Sequence, residues 1–472
     1  MRNIEIIGQK FEVQGKAIAF SFEELFTDEL FAKLDSLAPQ YSNDSNYVNE
    51  LYLNFIQPYL ACENYVLTES ENQKIKINAV LANYKLRCFL ADIQGAHGHI
   101  QSNTKIGAIH WLNKFKNHVI VLATAFFLLY RMFRVKKNKS VTSSPELYLA
   151  RTKASQTKFA ALDVAYEIED YSLSTNSIYS YYSLATRLAW VFSAWIKSYG
   201  QMRLIKKLMT QYVGKYTATY SLTFYAKRLV HTMLYEHIYD RLLKDKGARK
   251  AYTGNNLDRF ALIEEKIANK LRVELICIPH GLEYGFRFPK GFTGNQFFTS
   301  SAYAAEFLNK LYSESKFVFD EALATTIFSA KHKLEQKRNQ PKVIFFTEPR
   351  EVEVNHTIIQ YLIPKLQQEN IKLSLKLHPK DDVNDYKVYE LALEANLEDS
   401  LQQNICFARK STTLLEATYN ESAAAAILIN AKDKAIFNTF PSLQDPRISQ
   451  FFDLDSLVGW IQSEFKKEII SI

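Results

Sequence analysis

Short apolar runs alternate with helical patterns from Lys342 to Ile429, and this alternation constrains the fold more than any other feature of the chain. The four runs are short and apolar, as buried strands are. They cover residues 343–347, 373–377, 405–408 and 424–429, and helical patterns cover residues 355–368 and 414–419. Strands that alternate with helices predict an α/β fold with a parallel sheet. Ligands bind such sheets at the carboxyl ends of the strands.

Polar residues follow the predicted strands of this sheet. They are Glu348 after the first strand, His378 and Pro379 after the second, and Ser411, Thr412 and Thr413 after the third. Proline stops further strand pairing, and the imidazole before it can donate a hydrogen bond to a phosphate oxygen. A turn that only ends the strand is the alternative for this pair. The edge is therefore a candidate anion or nucleotide site.

The hydroxyl residues after the third strand have two compatible interpretations. Thr413 and Glu416 match the S/T-x-x-E capping box, a structural start of a helix. A helix start with exposed hydroxyls is also a phosphate site. Arg409 and Lys410 add positive charge just before it.

A second strand–helix–strand array precedes the first. It comprises a strand that begins at 251, a helix at 258–271, strands at 273–278 and 295–300, and a helix at 302–311. A glycine-rich loop after the strand at 273–278 contains His280 and Glu283. Either side chain, at a strand end that faces a cleft, can accept a proton from a bound hydroxyl. The alternative for His280 is a hydrogen-bonded loop histidine that orients the turn.

Length and composition permit several domains. The 472 residues suffice for two or three domains, and 47% apolar content lets each bury a core. We predict an N-terminal α/β domain over 1–315 with a helical insertion at about 93–245, a linker at 316–341 and a C-terminal α/β domain at 342–472. Residues 65–68 predict one further strand. No G-x-G-x-x-G and no P-loop sequence occurs, so the usual motifs of dinucleotide-binding proteins and P-loop NTPases are absent.

Cysteine usage indicates a reducing compartment. Cys62, Cys88, Cys277 and Cys406 are far apart and form no C-x-x-C, which is typical of free thiols. The first residues show no secretory signal. We therefore expect a cytosolic protein.

Three histidines near residue 100 raise the question of a metal. His97 and His99 are two residues apart, and His110 is near. No Cys, Asp or Glu stands close to them in the sequence, so the usual number of ligands is not reached. We expect a solvated loop there and no metal.

One basic region combines positive charge with an apolar run. No acidic residue occurs between Ile93 and Pro145, a window that contains Lys105, Lys114, Lys116, Arg131, Arg134, Lys136, Lys137 and Lys139. Its apolar run, 119–130, is shorter than the roughly 20 residues that span a bilayer. Residues 105–139 fit an interfacial helix on an anionic membrane. A buried core helix with a solvated basic end is the alternative, and nucleic acid is disfavoured because the charge surrounds apolar residues.

The order of these short motifs resembles that of the GT-B glycosyltransferases. His-Gly ends a strand in one α/β array, and His-Pro and a Ser/Thr group end strands in the next. More narrowly, the chain looks like the bacterial sialyltransferase and polysialyltransferase group, with its HP and S/S-T motifs. Capsule-type Kdo transferases and CDP-glycerol glycerophosphotransferases share the His-Gly and His-Pro pair. The resemblance covers about residues 250–430 and implies two facing Rossmann-like domains.

The resemblance also implies roles for individual residues. His378 would contact the donor phosphate, Ser411 and Thr412 would hold it as well, and Glu348 would lie near the nucleotide. In sialyltransferases the base comes from an acidic D/E-D/E-G motif. The nearest match is residues 283–285, with tyrosine in place of the second acid. In the glycerophosphate group the histidine of His-Gly is the base, so His280 and Glu283 both remain candidates.

The expected function follows from the resemblance. It implies an inverting, metal-independent transferase that moves a CMP-activated acidic sugar, a sialic or other nonulosonic acid or Kdo, to a surface polysaccharide or lipid-linked glycan. Its partners would be the nucleotide sugar and the glycan acceptor, with residues 105–139 on the inner membrane face and no nucleic acid. One alternative is a CDP-glycerol or polyol-phosphate transferase. Another is a non-catalytic scaffold for polysaccharide assembly.

Overall fold

The computed structural model describes most of the chain, which forms two compact units. The described residues are 2–8, 10–13, 16–19, 25, 27–71, 73–104, 106–169, 177–279, 283–330, 340–349 and 352–470. The first unit comprises Met1–Phe159, Val164–Ile278 and Arg287–Phe297, and the second comprises Ala160–Asp163, Pro279–Phe286 and Phe298–Ile472. The segment predicted as a linker, 316–341, lies in the second unit.

A five-stranded mixed sheet begins the first unit. Its strands are β1 (Arg2–Gly8), β2 (Lys10–Val13), β3 (Lys16–Ala19), β4 (Ile75–Ala82) and β5 (Ile100–Ser102). They lie in the order β3-β2-β1-β4-β5; β1 to β3 are antiparallel, and β1, β4 and β5 are parallel. Buried and exposed residues alternate along β4, with Ile75 and Ile77 buried, because one face of the strand is covered.

Helical segments accompany this sheet in the chain. They are α1 (Asp28–Leu37), α2 (Val48–Leu51), a π-helical turn (Tyr52–Ile56), α3 (Gln57–Ser70) and α4 (Tyr84–Ala96). Helix α4 packs against the strands β4 and β5 of the sheet. The strand predicted at 65–68 is wrong, since these residues belong to α3. Tyr59, Cys62 and Val66 are buried at helical spacing. That periodicity outweighs the strand preference of the four residues.

A six-stranded sheet contains the second strand–helix–strand array. Its strands are β6 (Glu146–Ala150), β7 (Glu167–Ile168), β8 (Lys250–Thr253), β9 (Glu274–Cys277), β10 (Gln296–Phe298) and β11 (Phe317–Val318), in the order β11-β10-β9-β8-β6-β7. The pairs from β7 to β10 are parallel. The associated helices are α6 (Lys153–Ala161), α9 (Arg259–Leu271), α10 (Ala302–Tyr312) and α11 (Glu321–Phe328). The strands and helices predicted between 251 and 311 are confirmed.

Three long helices pack against one another in the first unit. They are α5 (Gly107–Arg134), α7 (Leu184–Tyr212) and α8 (Lys215–Lys246). On α5 the buried residues are Asn113, Asn117, Val121, Ala125, Leu128 and Met132, a narrow stripe at helical spacing. Its apolar run is therefore not a core helix buried on all sides. None of the described helices is both long and apolar enough to cross a membrane.

The second unit contains a six-stranded, fully parallel sheet. Its strands are β12 (Val343–Phe346), β13 (Leu373–Lys376), β14 (Ala392–Leu393), β15 (Ile405–Ala408), β16 (Ala423–Ile427) and β17 (Ile448–Phe451). They lie in the order β14-β13-β12-β15-β16-β17, which is the Rossmann-like order. Its helices are α12 (Val352–Gln367), α13 (Leu397–Leu401), α14 (Thr413–Tyr419), α15 (Ala431–Asn438) and α16 (Leu454–Ile470). The predicted α/β class is confirmed.

The core of this unit lies between the sheet and its helices. Phe345 of β12 and Phe407 of β15 stack with ring centres 5.4 Å apart. Ile358 and Leu362 of α12 are fully buried in the same cluster. The central strands are buried on both faces, which is why they are continuous apolar runs in the sequence.

Candidate functional site

The central strands of the second unit's sheet end level with one another. Phe346, the last residue of β12, pairs with Lys376 of β13 on one side and Ala408 of β15 on the other. Neighbouring strands are about 4.8 Å apart, so the loops after β13 and β15 begin about 10 Å from each other. The strand order reverses between β12 and β15, the point where ligands bind open parallel sheets. The loops that carry Glu348, His378 and Ser411 therefore begin at one edge.

His378 is half-buried in the loop after β13, next to the exposed Pro379. Its backbone N–H donates to Thr347 Oγ1 at 3.0 Å and to Asp381 Oδ2 at 3.1 Å. Its Nδ1 accepts a hydrogen bond from the backbone N–H of Lys380 at 3.1 Å. We infer that neutral His378 carries its proton on Nε2 because Nδ1 is an acceptor. Nε2 has no hydrogen-bond partner among the described residues, so it can donate to a ligand.

Thr347 and Asp381 join the loops after β12 and β13. Thr347 Oγ1 donates to Asp381 Oδ2 at 2.5 Å. Asp381 Oδ1 is buried and accepts no hydrogen bond from the described part of the chain. Buried acceptors in proteins usually have a partner, so this oxygen is available to a hydrogen-bond donor on a ligand. Neither residue was predicted as part of the site, although an aspartate three positions after His378 is a common turn signal.

Asn355 anchors the loop that contains Glu348. Its Nδ2 donates to the backbone oxygen of Glu348 at 2.7 Å and to Tyr386 Oη at 2.9 Å. Asn355 is fully buried, and its Oδ1 has no partner within the described ranges. The half-buried Glu348 therefore lies next to Asn355, whose Oδ1 is the second unpaired acceptor near this edge. Residues 350–351 of this loop are outside the described residues.

The hydroxyl residues after β15 form a different turn from the predicted one. Ser411 Oγ accepts hydrogen bonds from the N–H and the hydroxyl of Thr413, at 3.3 and 2.8 Å. The predicted capping box of Thr413 and Glu416 is wrong, because α14 begins at Thr413 and its N-cap, Thr412, forms no side-chain cap bond. The half-buried Thr412 hydroxyl donates to none of the described residues. It is the hydroxyl most available to a ligand.

A buried ion cluster holds the start of this turn. Arg409 is fully buried and meets Asp433 in two hydrogen bonds, Nε to Oδ2 at 2.7 Å and a terminal nitrogen to Oδ1 at 2.8 Å. Lys410 Nζ lies 3.3 Å from Asp433 Oδ1. Two cations therefore share this carboxylate at the end of β15. Such paired and bidentate contacts fix side-chain geometry.

Glu283 is buried in a set of hydroxyl and amide donors. Its Oε1 accepts the N–H of Ser300 at 2.8 Å, and its Oε2 accepts the hydroxyls of Ser300 at 2.8 Å and Ser442 at 2.5 Å. Burial raises the pKa of this carboxyl. Glu283 thus links two distant segments of the second unit and has no free oxygen atom. The other candidate base, His280, lies outside the described residues.

His97 and His99 each lie beside an ordinary side-chain partner. His97 Nε2 lies 2.9 Å from Glu63 Oε1, a carboxylate that is distant in sequence. His99 Nε2 lies 3.5 Å from Ser70 Oγ. Within the described ranges, no group of three or more His, Cys, Asp or Glu side chains could hold a metal ion.

Comparison with known proteins gives no family for this chain. No protein-family model matches it, and no curated protein is similar to it.

A second polar cluster is buried in the first unit, at the carboxyl edge of the sheet around β6 and β8. Glu169 lies 2.9 Å from Arg151 and 2.7 Å from His231. These partners outweigh burial and lower the pKa of Glu169 to about 2. Glu264 accepts hydrogen bonds from Thr253 and Asn255 at 2.6 and 3.1 Å. Burial raises its pKa to about 7.

We expect the Glu264→Gln variant to be more stable than the wild type at pH 8 and about equal to it near pH 4.5. The folded state holds the Glu264 proton up to about pH 7, whereas an unfolded glutamate releases it near 4.5. Wild-type stability therefore falls as the pH rises between these values, by up to about 3 kcal/mol. Urea unfolding at both pH values measures the difference.

Glu169→Gln is the matched control in the same cluster. Its carboxylate is ionised in the folded state, so the substitution should destabilise the protein at pH 8 and lose its effect as the pH falls through 4.5 towards 2. Equal effects of both substitutions at pH 8 would contradict the opposite pKa shifts.

Proposed function

We propose that the protein is an inverting, metal-independent glycosyltransferase of the GT-B type, with two facing Rossmann-like domains. Its donor is a CMP-activated acidic sugar, a sialic or other nonulosonic acid or Kdo. Its acceptor is a bacterial surface polysaccharide, such as capsule or lipopolysaccharide, or a lipid-linked precursor. The enzyme acts at the inner face of the cytoplasmic membrane, where such precursors are exposed.

One observation carries the proposal: three loops begin at the reversal point of a parallel sheet, and two of them contain a hydrogen-bond donor that no described residue accepts from. His378 Nε2 and the Thr412 hydroxyl have no partner among the described residues, and both belong to loops that begin at this edge. Two unpaired acceptors lie near these loops: Asp381 Oδ1 in the loop after β13, and Oδ1 of Asn355, an α12 residue that holds the loop containing Glu348. A nucleoside monophosphate could pair with both kinds of group. Its phosphate accepts hydrogen bonds from donors, and its ribose hydroxyls donate hydrogen bonds to acceptors.

The reaction uses these groups as follows. A base takes the proton of the acceptor hydroxyl, whose oxygen forms a bond to the anomeric carbon of the sugar. The bond between that carbon and the phosphate oxygen breaks, and its electron pair leaves with CMP. His378 and Thr412 stabilise the charge that develops on the phosphate, the part a metal ion plays in other transferases. The products are the glycoside and CMP.

We assign the base to His280 instead of Glu283. Three hydrogen bonds from Ser300 and Ser442 occupy both oxygens of Glu283. A carboxyl that is 1% exposed and already accepts three hydrogen bonds is poorly placed to take a proton from a substrate. Glu283 then positions the loop that contains His280.

We expect Glu283→Gln to lower thermal stability and to keep kcat within about tenfold of the wild type. His280→Ala should lower kcat by a factor of about 100 to 10,000 and leave the unfolding midpoint unchanged. Steady-state kinetics and thermal unfolding of both variants measure these effects. If Glu283→Gln abolishes turnover at unchanged stability, Glu283 is the base and the assignment is wrong.

The direct test is turnover with a panel of cytidine nucleotides. Purified protein is incubated with CMP-sialic acid, CMP-Kdo or CDP-glycerol and an oligosaccharide acceptor, and released CMP and extended acceptor are measured by mass spectrometry. We expect transfer from a CMP-sugar without added metal and in the presence of EDTA. Consumption of CDP-glycerol alone would assign a polyol-phosphate transferase. No turnover with any donor, and no binding of nucleotide, would favour a non-catalytic scaffold.

A further inference from the structure

The outward face of α5 is apolar over most of the helix. Trp111, Phe115, Val119, Leu122, Phe126 and Phe133 recur at helical spacing and form this outer face. Trp111, Phe115, Phe126 and Phe133 are 62–67% exposed. The face lies opposite the buried stripe of the helix and contains no charged residue. It extends about 33 Å at 1.5 Å per residue.

The exposed area of this face exceeds that of an ordinary protein surface. Aromatic side chains offer about 150–250 Å² each, so the six residues expose on the order of 600 Å² of apolar surface. Soluble monomers rarely expose contiguous apolar patches beyond a few hundred Å², and larger ones mark contact with a protein or a membrane. The outer face therefore requires a covering partner.

The positive charge near the outer face indicates that the partner is anionic. Helices α5 and α7 contain nine Lys and Arg residues and no Asp or Glu. Lys116 and Arg134 lie beside the face on α5 and are exposed, as are Lys136 and Lys137 just beyond it. An apolar helix face bordered by cations is the pattern of helices that lie in the interface of anionic membranes.

A basic pocket lies next to the outer face, between α5, α7 and α8. It has a volume of about 320 Å³, and its lining includes Lys114, His118, Tyr199, Arg203 and Lys206. His118 and Tyr199 stack with ring centres 5.8 Å apart and join α5 to α7. Lys114, Arg203 and Lys206 form no salt bridge with a described carboxylate. Because three cations converge on this pocket, it fits a phosphate group.

We propose that α5 lies in the interface of an anionic phospholipid membrane, with its outer face among the acyl chains and a lipid phosphate in the basic pocket. Burial of the apolar side chains among the acyl chains drives membrane binding, and the cations of the pocket favour anionic headgroups. One face of the helix contacts the membrane and the opposite face packs against the protein, so the helix does not span the bilayer. The inference goes beyond sugar transfer and does not depend on it, since it concerns another region and requires no nucleotide.

Vesicle co-sedimentation of the full chain tests the proposal. We expect tight binding to vesicles of phosphatidylcholine with phosphatidylglycerol, weaker binding to phosphatidylcholine alone, and weaker binding at high salt. The Phe115→Ser, Phe126→Ser double variant should bind about 100-fold more weakly. The control is Val388→Ser, Phe452→Ser, which removes two side chains of similar exposure elsewhere and should bind as the wild type does.

A second pair of variants tests the basic pocket. Lys114→Ala, Arg203→Ala, Lys206→Ala should remove the preference for anionic vesicles and leave binding to neutral vesicles unchanged. The charge-matched control is Lys10→Ala, Lys74→Ala, Lys76→Ala, three exposed lysines in or next to the strands of the mixed sheet, which should keep most of the preference. Failure of the wild type to bind either vesicle overturns the proposal. So does a wild-type dimer that Phe115→Ser, Phe126→Ser converts to a monomer with vesicle binding unchanged, because the face would then join two copies of the chain.

Discussion

Replacing His378 by alanine should lower kcat about 100- to 1,000-fold with CMP-sugar donors, the loss typical of removing one donor that stabilises a developing oxyanion. The fold should remain intact, because the side chain is half-buried and its one hydrogen bond within the described chain is to the neighbouring Lys380 backbone. Steady-state kinetics with circular dichroism measures both effects. His378→Gln, which retains a donor nitrogen near the position of Nε2, should recover part of the activity.

The control for this effect is His99→Ala, a histidine in the first unit that contacts Ser70. It should change kcat by less than about twofold, since it has no place in the proposed chemistry. Near-normal transfer by the His378→Ala enzyme would refute the role of the imidazole. Loss of the folded state in that variant would contradict the expectation that this side chain makes only a local contact.

Replacing Asp433 by alanine should destabilise the protein by about 3–5 kcal/mol, the largest stability effect that we expect from one substitution. Arg409 and Lys410 both contact this carboxylate, and Arg409 is fully buried with two hydrogen bonds to it. Removing it takes the bidentate partner from a buried cation. Urea unfolding followed by tryptophan fluorescence measures the change in the free energy of unfolding.

The matched comparison is Glu464→Ala, which removes the carboxylate of an exposed pair with Lys467 on α16. Exposed ion pairs contribute about 0–1 kcal/mol, so this variant should unfold close to the wild-type midpoint. If Asp433→Ala costs as little as Glu464→Ala, the buried cluster does not hold the loop after β15. The access of Ser411 and Thr412 to a ligand would then need another explanation.

The strands around the candidate site could be predicted because both faces of the sheet are covered. Residues 343–347, 373–377 and 405–408 are continuous apolar runs that end in polar loops, and each corresponds to a strand. By contrast, β14 consists of two exposed residues, Ala392 and Leu393. This strand forms because the fold places it beside β13, and no local sequence pattern predicts it.

The face of α5 that packs inside the protein could not be predicted, because apolar residues occur on both its buried stripe and its outer face. The stripe that packs inside the protein contains Asn113 and Asn117, whereas Trp111 and Phe115 are exposed. Asn117 is accommodated by a hydrogen bond to the Thr219 backbone at 3.4 Å. A sequence pattern that assigns apolar residues to the core would choose the wrong face of this helix.

Long-range contacts account for most of what the sequence leaves open at the site. Glu283 receives a hydrogen bond from Ser442, 159 residues later in the chain. Arg409 meets Asp433 of α15, and Thr347 in the loop after β12 meets Asp381 in the loop after β13. Motif spacing identifies which loops carry polar residues. Only the packed sheet shows which oxygens and nitrogens already have partners.

Calorimetric titration of the full chain with CMP tests the central claim most directly, that the edge between β12 and β15 binds a cytidine nucleotide. We predict binding at one site per chain that is weakened about tenfold by Thr412→Val, which removes a hydroxyl with no partner in the described chain. Thr325→Val, at an exposed position on α11, should bind CMP as the wild type does. No binding of CMP to the wild type, or equal binding by the wild type and Thr412→Val, would contradict the account.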